Sequence, residues 1–296
     1  MASSYETALA AKTLADHPAL CWSRMDLEQR VGFRGGRFTK VNNWLAFLIA
    51  AVATVLFYTV VIVARQFPFT HSMRGLLDSF TDRGPTPYAI VAFSWWAIAI
   101  LLLKWRKLAF QKRSLTYDVV PRDHDFVLSI PTADRVIEHM HLVADDPRHF
   151  VLYNRMMIAL SNMKNLGRVA DLDEILRSQG EHDESSMETS YSLVRGLLWA
   201  IPVLGFIGTV LGLSEAIGGF SNVLTTATDI SLVLDALKVV TAGLATAFET
   251  TLQALVAALG IQMLLTFIKK GEEEFLDQCS DYCMRRLVSR LRLSPT

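Results

Sequence analysis

Four stretches of this chain stay apolar for longer than a water-soluble core requires. WLAFLIAAVATVLFYTVVIVA, residues 44–64, carries no charge over 21 positions. As a helix rising 1.5 Å per residue it is long enough to cross a hydrocarbon layer of about 30 Å. A second uncharged run, TPYAIVAFSWWAIAILLL, fills 86–103 and brings Tyr88, Trp95 and Trp96 as interfacial or packing aromatics. A third, GLLWAIPVLGFIGTVLGLS, begins at 196 and is interrupted by Pro202, which membrane helices tolerate better than soluble ones. The fourth, 242–268, contains Glu249 as its one charge.

This pattern predicts an all-α integral membrane protein with spans at 44–64, 86–103, 196–215 and 242–268. A cytoplasmic segment, 1–43, precedes the first span, and a loop, 65–85, lies outside between the first two. A helical cytoplasmic domain, 104–195, separates the second from the third. An external turn with a short amphipathic helix is expected at 216–241, and a charged cytoplasmic helical tail at 269–296.

Within 104–195 the periodicity predicts a helix at 132–143. A second is started by Asp146 and Pro147 and stopped by Gly167, with Leu152, Met156, Ala159, Met163 and Leu166 as its buried stripe. A third, 169–178, is expected to end at Gly180. Ser185 and Glu188 have capping-box spacing and are read as the start of a helix that enters the membrane as the third span. The run KKGEEEFLDQCSDYCMRRLVSRLRL continues the fourth span in the same way, so both later spans extend into the cytoplasm.

The composition agrees with a membrane protein, since 51% of residues are hydrophobic. Net charge is zero, which removes any global basic signal for nucleic acid. The placement of charge sets the topology. Lys12, Arg24, Arg30, Arg34, Arg37 and Lys40 precede the first span, and KWRKLAFQKR follows the second, so both flanks and both termini are expected in the cytoplasm. The basic residues there answer lipid headgroups, and the Gly35-Gly36 pair reads as a flexible link. The N-terminal stretch lacks a basic start and short apolar core, so the first span is expected to be retained.

Cys279 and Cys283 share a helix face as packing residues, without companions that would make a metal site. Asp123-His124-Asp125 and the His139/His141 pair are weighed as metal or acid-base sites and set aside, because residues two apart do not share a helix face. No phosphate loop, dinucleotide glycine pattern or nucleophile elbow occurs, which argues against an enzyme, and no cofactor is implied.

On a helical wheel the fourth span collects Ala242, Gly243, Thr246, Glu249, Thr250, Gln253, Ala257 and Gly260 on one side. A carboxylate facing acyl chains is costly, so this stripe must face protein or water. The third span offers small residues at three- and four-residue spacing, Pro202, Gly205, Gly208, Gly212 and Ala216 with Thr209 among them, which let helix backbones approach closely.

IPVLGFIGTVLGLSEAI, 201–217, followed by GLATAFETTLQALVAAL, 243–259, resembles the paired signature of the MotA/TolQ/ExbB proton-channel family. The motif is closer to TolQ and ExbB, the four-span topology closer to MotA. The resemblance implies a subunit of a five-membered ring in a bacterial inner membrane, around a single-span partner like MotB, TolR or ExbD that carries an intramembrane aspartate. Within what the resemblance implies, a flagellar stator, an outer-membrane energiser and a defence-system motor all stay open. The transported ion would be a proton or sodium, passing along Thr209, Thr246, Glu249 and Thr250, with Pro202, Gly205, Gly208 and Gly212 packing the pore helices. Thr209 and Thr246 match family threonines. The glutamate of TolQ- and ExbB-like members aligns with Thr241, so Glu249 is a departure from the pattern. The alternative reading is a non-conducting scaffold or signalling subunit with the same fold.

Overall fold

The computed structural model describes residues 19–33, 35–66, 74–82, 84–121, 127–163, 169–226 and 230–291. Its helices are α1 (Trp22–Met25), α2 (Leu27–Arg30), α3 (Asn43–Arg65), α4 (Arg74–Thr81), α5 (Thr86–Lys112), α6 (Ile130–Val143), α7 (Val151–Asn162), α8 (Val169–Ser190), α9 (Ser192–Thr226) and α10 (Ile230–Arg286). Among the described residues, extended pairing is limited to the isolated bridges Leu20 with Ala144 and Leu128 with Leu291. The four apolar runs lie in α3, α5, α9 and α10, each long and apolar enough to cross a membrane. The protein is an all-α multi-pass membrane protein.

The chain divides into two compact units, an apolar one of 43–102 and 192–266 and a polar one of 1–42, 103–191 and 267–296. In the apolar unit α5 is the central helix. Half of its most apolar window is buried, against 17% for α3. Its entry is set by Gly84, whose φ of +79° suits a residue without a Cβ, and by Pro87 in the first turn, where no amide is needed. Aromatic pairs tie its neighbours to it: Phe47 with Trp96 at 5.2 Å, and Tyr58 stacked on Tyr88 at 4.5 Å. The short helix α4 lies against α3 through Phe80 and Phe57, 5.4 Å apart. Arg65 secures the same junction by pairing with Asp78 at 3.0 Å and Asp82 at 2.9 Å.

The polar unit has a core of its own. Trp22 is 2% exposed and rests on Phe110, His149 and Phe150. The expected stripe Leu152, Met156, Ala159 and Met163 is buried, and each large member contributes about 1.5–3 kcal/mol of burial. Leu166 and Gly167 lie outside the described residues. Asp146 caps as expected, accepting from the Arg148 amide at 3.1 Å, but Pro147 opens a 3-10 turn and α7 starts only at Val151. Phe150 takes an extended conformation between the two and places its ring in the core.

Several boundaries differ from expectation. Helix α8 passes through Gly180 and Ser185 to Ser190, because Leu172, Leu176, Asp183 and Met187 are buried along one face and outweigh the roughly 1 kcal/mol helical cost of glycine. The interruption falls instead at Tyr191, between α8 and α9. In the 216–241 segment α9 continues to Thr226 and α10 begins at Ile230, so the expected short helix is the first part of α10. Nothing in ISLVLDALKVVT breaks a helix. Gly35 and Gly36 are a tight packing point rather than a flexible link. The Gly36 amide donates to Glu28, and a Cβ on Gly36 would fall 2.4 Å from the Lys40 carbonyl oxygen.

Candidate functional site

The seam between α9 and α10 is made by residues with little or no side chain. A Cβ on Gly205 would lie 2.6 Å from the Ala254 Cβ, and one on Gly243 would lie 2.6 Å from the Ala216 Cβ. At Gly212 it would meet the Gly243 carbonyl oxygen at 3.3 Å. Thr251 donates its hydroxyl across the seam to the Gly205 carbonyl at 3.0 Å. Glycines at 205, 208 and 212 thus bring two backbones into contact. Pro202 is half-buried inside α9, which runs through it without a break.

Gly208 marks where three helices meet. The position of its missing Cβ is 2.7 Å from the Thr250 hydroxyl oxygen and 2.9 Å from that of Thr86, the first residue of α5. Thr250 is fully buried and donates to the Ala247 carbonyl at 3.0 Å, which leaves its oxygen lone pairs able to accept. Thr209, one position on, is half-buried and donates to the Phe206 carbonyl of its own helix at 2.6 Å. The Thr246 side chain lies outside the described residues. The threonines brought to Gly208 from the other helices are therefore Thr250 and Thr86.

Glu249 has different surroundings. Adjacent helix positions point about 100° apart. While Thr250 enters the seam, Glu249 lines a cavity of about 570 Å³ with Phe57 of α3, Ser79 of α4, Ser94 and Trp95 of α5, and Gln253 of α10. Gln253 donates to the Ser79 hydroxyl at 2.7 Å. Its carbonyl oxygen is buried, with no hydrogen-bond partner among the described residues. Ser79, Ser94 and Thr86 were not legible as site residues. Their one sequence signal is polarity, at the start of the second span for Thr86, in its middle for Ser94 and before it for Ser79.

Two buried carboxylates in the polar unit were also missed. Glu272 is 2% exposed and accepts from Lys104 at 3.2 Å, from the Tyr191 phenol at 2.6 Å, and from the Thr39 hydroxyl. The Lys104 ammonium lies 4.0 Å from the Tyr191 ring centroid. Glu28 is completely buried and accepts from Lys107 at 2.8 Å and from the amides of Gly36 and Asn42. Buried carboxylates matched this fully with donors are positioning groups.

Cys279 and Cys283 are buried on one face of α10 and act as core residues. The His139 ring contacts the Val119 carbonyl at 3.3 Å and His141 is exposed, while Asp123, His124 and Asp125 lie outside the described residues. No group of three or more potential metal ligands occurs among the described residues.

In comparisons with known proteins, the model of the MotA/TolQ/ExbB proton channel family matches residues 145–280. The match takes in α7, α8, α9 and most of α10, and leaves α3, α4 and α5 outside. Neither the curated proteins nor the solved structures give a match.

Proposed function

We propose, from the premise that residues 145–280 belong to the MotA/TolQ/ExbB proton channel family, that this chain is the ring-forming, ion-conducting subunit of an energy-transducing complex. The ring is a pentamer in a bacterial inner membrane, with both termini in the cytoplasm. It encloses a single-span partner carrying an intramembrane aspartate. The ion is a proton or sodium, and its passage is coupled to mechanical work.

One observation carries this reading: Glu249, the one charge within the fourth apolar run, is half-buried on the wall of an apolar groove that α3, α4 and α5 form against α10. The faces that α9 and α10 leave uncovered support the ring. Phe206, Val210 and Leu211 on one helix and Phe248, Leu252 and Leu259 on the other are exposed and apolar, as an interface between copies or with a partner helix requires.

Ion entry supplies about 2.3 kcal/mol per charge for each 100 mV of membrane potential. Protonating and re-ionising a carboxylate changes which packing of ring against partner is favoured, so transit biases their relative motion. Thr209, Thr246 and Thr250 supply hydroxyls that both accept and donate. In proteoliposomes containing the chain with its single-span partner, Glu249→Gln should lower ion flux at least tenfold while the purified complex keeps its stoichiometry. Undiminished flux in that variant would remove Glu249 from the path. Absence of flux in the native complex would favour the scaffold.

A further inference from the structure

We propose that α1 and α2 form an interfacial anchor that holds the headgroups of anionic phospholipids beside the end of the second span, through Arg24, Arg30 and Arg106. Such an anchor needs neither a ring nor conduction.

Read along the chain, WSRMDLEQR balances its charge, with Arg24 and Arg30 against Asp26 and Glu28. The fold separates the two signs. Asp26 and Glu28 are both buried and both face Lys107 of α5, at 3.6 and 2.8 Å. Arg24 and Arg30 stay exposed. The same sorting occurs on α5 in the run Lys104-Trp105-Arg106-Lys107. Its two lysines are buried against Glu272 and Glu28, while Trp105 and Arg106 are exposed. Among the described residues the side chains of Arg24, Arg30 and Arg106 make no ion pair and no hydrogen bond. What this part of the chain turns outward is therefore positive, although its sequence is mixed.

The depth along α5 fits a headgroup. Leu103 ends the second apolar run, and Arg106 stands three residues further, about 4.5 Å along the axis. That lies within the polar layer of several Å that borders each side of a bilayer's hydrocarbon core. Trp105, exposed beside it, is of the type that concentrates at this depth. Met25 and Leu27 line a groove with Leu103, Arg106 and Phe110. Leu27, Arg30 and Val31 stand at three- and four-residue spacing and so share a face of the segment. Val31 is exposed and Leu27 half-buried, so apolar contact and a guanidinium are offered together, as an interfacial segment requires.

The residue types select the ligand. The cations turned outward are all arginine, and the buried ones are lysine. A guanidinium gives two parallel N–H donors to a pair of phosphate oxygens, which a lysine does not. Trp22 and Asp26 line the same groove, and Trp22 Nε1 and Asp26 Oδ2 are buried without a hydrogen-bond partner among the described residues. The space there, about 20 Å³, holds one water or one headgroup hydroxyl. A phosphate does not fit in it and stays at the rim, where Arg106 is exposed. In a zwitterionic lipid the ammonium cancels the phosphate, whereas an anionic one leaves a net charge for the arginines to meet.

Hydrogen exchange of the full chain in lipid nanodiscs tests this, read by mass spectrometry on the peptide 22–33. The discs are made of phosphatidylcholine alone or mixed with phosphatidylglycerol. Each arginine near an anionic surface strengthens binding about fivefold, so phosphatidylglycerol should slow exchange of 22–33 about tenfold or more. Raising the salt should reverse the effect, because exposed charges are screened. Exchange in Val151–Asn162, within the core of the polar unit, should be the same in both discs.

Arg24→Gln, Arg30→Gln and Arg106→Gln together should abolish the response to phosphatidylglycerol, with Val151–Asn162 still protected as evidence of folding. Lys112→Gln should keep the response, since this exposed residue lies nine positions past Leu103, about 14 Å along α5 and beyond the headgroups. Soluble glycerol phosphate added to phosphatidylcholine discs should leave exchange unchanged. Slowing by it would show a site for free anions and overturn the lipid assignment. Equal exchange of 22–33 in both discs would overturn it too and leave the arginines to an acidic protein segment. A triple variant that still responds would remove these three residues from the anchor.

Discussion

At the scale of single residues, Gly208 and Asp145 make opposite kinds of contribution. Gly208 contributes by what it lacks. An alanine there would press its methyl group against the Thr250 and Thr86 hydroxyls at distances below 3.0 Å. Overpacking of this kind costs about 1–3 kcal/mol, so Gly208→Ala should lower the thermal midpoint in detergent. Gly196→Ala, with no atom within 4 Å of the added Cβ, should be neutral or slightly stabilising through helix propensity.

Asp145 contributes by hydrogen bonding. It accepts from the amides of Trp22 at 2.8 Å, Ser23 at 3.1 Å and Asp146 at 2.8 Å, and from the Ser23 hydroxyl at 3.0 Å. Burial pushes its pKa up, but these bonds to the ionised form outweigh burial and hold it below the ordinary 3.8. The unfolded chain therefore takes up the proton first. The contribution is fully present above about pH 4 and is lost as pH falls through the depressed native value. The protection of the Trp22 and Ser23 amides against hydrogen exchange, taken relative to the intrinsic rate at each pH, should fall over that acidic window in the native chain. In Asp145→Asn it should already be low at neutral pH.

At the scale of elements, Glu272 gathers residues from far-apart stretches of the polar unit: Thr39, Lys104 and Tyr191. Removing one partner of a buried pair leaves the other charge stranded, which costs about 3–5 kcal/mol. Lys104→Met and Glu272→Leu should each destabilise by that order. The double variant should lose clearly less than the sum, in a double-mutant cycle measured by denaturant or thermal unfolding. Equal additivity would mean the pair is not coupled.

The same elements show what a sequence can disclose. The spans, the α7 stripe and the small-residue seam were legible because each rests on local periodicity. Glu272 was not, since it stands in the run Glu272-Glu273-Glu274 and only the fold buries the first of the three. Gly180 and Ser185 misled for a related reason: tertiary burial of one face of α8 overrides local stop and start signals. Glu249 was legible as an anomaly, but its cavity was not, because two of its walls come from α4 and α5, more than 150 residues away in the chain.

At the scale of the whole molecule, the four spans share the burial unequally. The central helix α5 has half of its apolar window covered, while α3 has 17% and presents Val52, Val55, Leu56, Val60 and Ile62 outward. Of the four spans, α3 leaves the largest share of its apolar window open to lipid. Its 23 residues extend about 35 Å, close to the thickness of a bilayer's hydrocarbon core plus a modest tilt. The match between protein and membrane is thus set mainly by one helix. A thinner bilayer would be met first by tilting of α3, and through Phe57 that tilt would reach the wall of the Glu249 cavity. The thickness of the surrounding membrane then becomes a quantity to which the packing around Glu249 responds.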